Sequence, residues 1–159
     1  MILSYIFCLT GFLIIFLYCA IATVKNKEIP NSISQIVYNL NDKWKWTFTV
    51  VMFLVSFMIV PQLVDVIPKG YEFLGILTAG GILGVGVDPL VKGEKNIIHY
   101  VSAIILGISS QIVVSMKIPS LFYLWIPYIM YTLYEEKSDK NMFIGEMVML
   151  LSLSLVCLL

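Results

Sequence analysis

Six apolar stretches, separated by short loops that hold almost all the charge, govern what this chain can fold into. A bilayer core offers the backbone no water. Only segments that satisfy their own N–H and C=O groups cross it, and an α-helix needs ~20 apolar residues to do so. The stretches fall at residues 2–24, 46–66, 71–87, 97–116, 119–134 and 142–159. The third, fifth and sixth are short, and Trp44, Trp46, Tyr71, Tyr100, Tyr123 and Tyr134 lie where interfacial anchors compensate for a short span. Pro61 and Pro127 fall inside stretches, where each is expected to kink a helix rather than end it. The expected fold is all-α: a polytopic transmembrane bundle of six helices, one integral membrane domain over residues 1–159.

Composition excludes the soluble classes. With 60% hydrophobic and 13% charged residues and a mean hydropathy of +0.95, the chain carries more apolar surface than a water-soluble fold of 159 residues buries. The lipid bilayer is therefore the expected partner. All ten basic residues are lysines and the net charge is zero. Without a guanidinium fork or a basic surplus, nucleic acid is not an expected partner. Cys8, Cys19 and Cys157 all lie in apolar stretches and read as small packing residues.

Lysine placement predicts orientation. The loops after the first, third and fifth stretches hold Lys25, Lys27, Lys43, Lys45, Lys92, Lys95, Lys137 and Lys140, against Lys69 and Lys117 in the other two. The positive-inside rule puts the lysine-rich loops in the cytoplasm and both termini outside, as in a multi-pass protein of a bacterial inner membrane. The first stretch, with its lysines after rather than before it, reads as an uncleaved signal anchor. The first loop places Ile33, Ile36, Val37 and Leu40 at helical spacing behind Asn31 and Ser32, either of which can cap. That pattern predicts a short amphipathic helix, lying at the cytoplasmic interface or folded back into the bundle mouth.

Polar groups inside spans are costly, so each marks a candidate site. Asp88, His99 and Glu146 fall at the same, cytoplasmic end of three different stretches, with Tyr38 in the first loop and Ser102 one turn beyond His99. An Asp, a Glu and a His together fit a proton relay, a cation site or general acid/base chemistry. The bland reading is that the same groups cap helices or pair with loop lysines. A single histidine leaves no structural zinc site to expect, and nothing names a cofactor. His99, Ser102, Ala103, Leu106, Gly107 and Ser110 form a small, polar face on the fourth stretch. The third offers Gly75-x-x-x-Ala79 and Gly80-x-x-x-Gly84, the spacing that lets helices approach closely within a bundle or between copies in a homo-oligomer. Asp65, Lys69 and Glu72 are expected to form an interfacial ion pair at the opposite end.

Ile29-Pro30-Asn31 followed by Gly84-Val85-Gly86-Val87-Asp88 is similar to motifs of prepilin-peptidase-type aspartyl proteases, but Thr23 stands where the first aspartate would be and the second motif carries an extra residue. Without paired aspartates that family's proton sharing fails. Over most of its length the chain more closely resembles an uncharacterised family of small polytopic proteins of anaerobic gut bacteria and their mobile elements. The resemblance rests on Ile29-Pro30-Asn31-Ser32-Ile33-Ser34 with Tyr38, Lys43-Trp44, Glu72-Phe73-Leu74, and Glu94 with His99-Tyr100-x-x-Ala103. It implies an inner-membrane bundle and no particular activity. The expected function is a non-enzymatic membrane protein that binds a small ligand or lipid or assembles with membrane partners, transport included. The competing expectation is an enzyme acting on a lipid or lipid-linked substrate through Asp88, His99 and Glu146.

Overall fold

The computed structural model describes residues 2–90, 97–135 and 140–159, the side chain of Asp88 excepted. Among them there is no strand. Six α-helices follow one another: α1 (Ile2–Asn26), α2 (Lys45–Val66), α3 (Phe73–Gly86), α4 (Ile97–Lys117), α5 (Trp125–Tyr134) and α6 (Asn141–Leu158). Four of them, α1, α2 (with the turn before it), α4 and α6, are long and apolar enough to cross a membrane. The other two are short. α3 has 14 residues and α5 has 10, about 21 and 15 Å of helix against a hydrocarbon core of about 30 Å.

The fifth stretch is divided rather than continuous. A 3-10 segment, Pro119–Leu124, precedes α5. Pro127 fits this start: in the first turn of α5 its missing N–H costs no helical bond. Pro61, by contrast, sits within the unbroken α2.

Helices α1 to α4 pack in sequence order, and α6 closes the circuit against α4 and α1. α5 stays outside, against α6, and none of its residues is buried. The inward faces follow three-and-four spacing: Cys8, Phe12, Ile15 and Cys19 on α1, and Phe48, Met52, Val55, Ile59 and Leu63 on α2. α4 turns isoleucines outward and buries hydroxyls beside Leu106, Val113 and Val114. Ile97, Val101, Ile104 and Ile108 point outward, while Ser109 and Ser110 are buried. A hydroxyl inside and isoleucine outside is the arrangement that lipid, not water, stabilises.

Small residues set the close approaches. Gly75 and Gly86 lie against α2, next to Leu63 and Met52, and Gly81 and Gly84 lie against Leu106 and Ser102 of α4. Gly80, expected to share the face of Gly84, has open space around it instead. The reason is helical phase, since Gly81 rather than Gly80 falls on the α4 side. Hydroxyls bridge the same contacts: Ser56 donates to the Ala79 carbonyl at 2.8 Å, and the Thr78 and Ser109 hydroxyls meet at 2.9 Å. The three cysteines are free and buried, as packing residues are, and Cys157 adjoins Cys8 across the α1–α6 contact.

Candidate functional site

The loop between α1 and α2 is the piece that builds the site. It forms a 3-10 turn, Ser34–Val37, shorter than the expected helix. Ser32 caps it, accepting the Gln35 N–H at 3.1 Å, and the Gln35 side chain returns to accept the Asn31 N–H at 2.7 Å. This is nearly a capping box. Ile33, Ile36 and Val37 are buried in the end of the bundle, and Leu40 is half-buried.

Two hydrogen bonds fasten this loop to the start of α6. The Asn31 carbonyl accepts the Phe143 N–H at 2.9 Å, one of the first-turn amides that a helix leaves without an internal partner. One turn further on, Glu146 Oε2 accepts the Ile33 N–H at 2.6 Å. Segments more than a hundred residues apart therefore cap each other. Among the described residues Glu146 makes no other hydrogen bond and no ion pair.

Ile33 also lines a partly open cavity of ≈ 90 Å³. Every helix of the closed circuit contributes: Ile15 from α1, Met52 from α2, Ile82 and Val85 from α3, Ala103 and Leu106 from α4, and Met149 and Leu150 from α6. The two polar side chains on its wall are His99, opening α4, and Glu146. At ~30 Å³ per water the volume suits about three waters or a group of that size. A second space, a groove of ≈ 400 Å³ between α5 and α6, is lined by Trp125, Tyr128, Met142, Gly145, Glu146 and Met149. Glu146 and Met149 thus stand between the cavity and the groove. Trp125 is fixed by donating to Gln111 Oε1 of α4 at 3.0 Å, and its ring meets that of Tyr128 edge-on, 5.4 Å apart.

Of the residues expected at a site, the structure brings His99 and Glu146 to one cavity wall. Ser102 lies instead against Gly84 in the α3–α4 contact. Tyr38 follows the 3-10 turn and is exposed. Asp88 begins the 3-10 turn Asp88–Leu90 beside α2, and its side chain lies outside the described residues. Among the described residues no group of three metal-ligating side chains occurs. The aromatic pair Trp125 and Tyr128 escaped sequence reasoning, because on sequence both look like ordinary span residues. At the opposite end, Asp65 takes the Ser4 hydroxyl at 3.4 Å and Glu72 the Gly70 N–H at 2.8 Å. Neither pairs with Lys69 among the described residues, so in place of the ion pair expected there Asp65 bonds across to α1 and Glu72 to its own turn. No family model, curated protein or solved structure matches the chain.

Proposed function

We propose that this chain is a multi-pass protein of a bacterial inner membrane that binds a small ligand or lipid where the cavity and the groove share Glu146. The observation that carries the reading is this placement: one carboxylate, held by a single backbone N–H, between an apolar interior and an outward-facing groove. Among the described residues the cavity wall presents only His99 and Glu146 besides apolar side chains. The lysine asymmetry supports an orientation with the α1–α2 loop in the cytoplasm and both termini outside. All six helices belong to the membrane domain in this reading, with α3 and the divided fifth segment accommodated by local thinning and by Tyr and Trp anchors. The motifs around Ile29-Pro30-Asn31 and His99-Tyr100 support placing the chain beside the small polytopic family they resemble. An assembly role would use Gly80 and Gly107, the helical glycines with open space around them.

Photolabelling tests the reading. Purified protein in nanodiscs is irradiated with a lipid carrying an alkyl diazirine, and the adducts are mapped by mass spectrometry. Saturable adducts at Glu146 or Met149 are expected. Labelling confined to the outer residues Ile104, Ile108 and Leu133 would contradict a site at Glu146.

A further inference from the structure

We propose that the groove between α5 and α6 binds the organic ammonium head of an amphiphile drawn from the bilayer, with Glu146 as its counter-ion and the Trp125 and Tyr128 rings as its π contacts. The proposal rests on the reading of Glu146 as a ligand site and names the chemistry it recognises.

Charge comes first. Glu146 has one hydrogen bond and no cationic partner among the described residues; the ion pair found there is Lys45–Asp42, at 2.7 Å in the turn before α2. A carboxylate removed from water is stabilised by a positive charge close by, and a ligand brings one. Anionic heads are repelled by the same group. The aromatics narrow the choice further. Trp125 and Tyr128 line the groove together with Glu146, their rings in edge-to-face contact 5.4 Å apart. Ring quadrupoles attract ammonium groups, and a corner of aromatic rings is how quaternary ammonium is recognised. A neutral hydroxylated head gains little from either feature.

The approach is from the side. α5 buries none of its residues, so the groove opens at the periphery of the bundle, where the lipid lies. Met142 and Met149 give an alkyl tail apolar, adaptable surface. Gly145 contributes by lacking a side chain, since a Cβ there would come within 2.9 Å of the Tyr128 hydroxyl and push the ring from its place.

The test measures dodecyltrimethylammonium, dodecyl maltoside and choline binding calorimetrically to protein in nanodiscs, against empty discs. Wild type is expected to bind the ammonium amphiphile saturably and about tenfold more tightly than the maltoside of equal tail. Glu146→Gln and Tyr128→Leu should abolish that preference, and Tyr128→Phe, which keeps the ring, should retain it. The Glu146→Gln side chain still accepts the Ile33 N–H, so its melting temperature should match wild type. If either variant misfolds, competition on wild type decides: dodecyltrimethylammonium should suppress diazirine labelling at Glu146 and dodecyl maltoside should not. Equal binding of both amphiphiles, unchanged by Glu146→Gln, overturns the ammonium preference and leaves a ligand site standing. Absence of saturable binding by either, together with absence of labelling at Glu146, overturns both readings. Choline binding as tightly as the amphiphile overturns a bilayer-borne ligand.

Discussion

Gly81 and Gly84 bring α3 so near α4 that a methyl group has no room: at Gly81 it would meet the Leu106 backbone within 2.8 Å, and at Gly84 the Ser102 side chain. Backbone cannot step aside as a side-chain tip can. Gly81→Leu or Gly84→Leu should therefore destabilise the bundle by about 1–3 kcal/mol, with the larger loss at Gly81. Gly80→Leu, one residue away and facing open space, should unfold like wild type in detergent titration. The sequence showed that α3 is rich in small residues but not their phase, because its flanks are apolar on every side and hydropathy does not distinguish a lipid face from a helix face. The buried thiols lead to a second expectation at this scale. Cys8, Cys19 and Cys157 should resist alkylation in the folded protein and react once it is unfolded, since an inaccessible thiol is inert.

At the scale of elements, the joint between the Asn31–Ile33 backbone and the start of α6 is what the site depends on. Glu146→Ala leaves the Ile33 N–H without its acceptor, a loss of about 1–3 kcal/mol for a buried donor. Hydrogen exchange at the Ile33 and Phe143 amides should accelerate together in that variant and stay slow in Glu146→Gln. Acceleration in both variants would show that charge, not hydrogen bonding, holds the loop. Helix positions were legible in the chain: α1, α2, α4 and α6 start and stop within two residues of the apolar stretches that predict them. Length and hydropathy decide those boundaries. Neighbourhood was not legible, because nothing local tells α5 to stay outside or α6 to pack between α1 and α4. The division of the fifth segment was readable in part, from Pro127.

For the whole molecule, the lysine counts predict one orientation. A cysteine introduced at Ser138 should be shielded from an impermeant reagent in intact cells, and one at Lys69 should react, against a silent background of buried native thiols. The opposite pattern would move Glu146 to the outer leaflet. The candidate site itself was half legible. His99 and Glu146 share a topological end and a cavity wall, whereas the Ile33 bond and the aromatic corner arise only from tertiary packing. That shared wall is the central claim, and the chain offers a clean probe of it in its single histidine. NMR of protein with a nitrogen-labelled imidazole reports His99 alone. Glu146→Gln should shift its ring signals while Glu72→Gln, at the far end of the bundle, leaves them in place; His99 signals unmoved by Glu146→Gln would contradict the account.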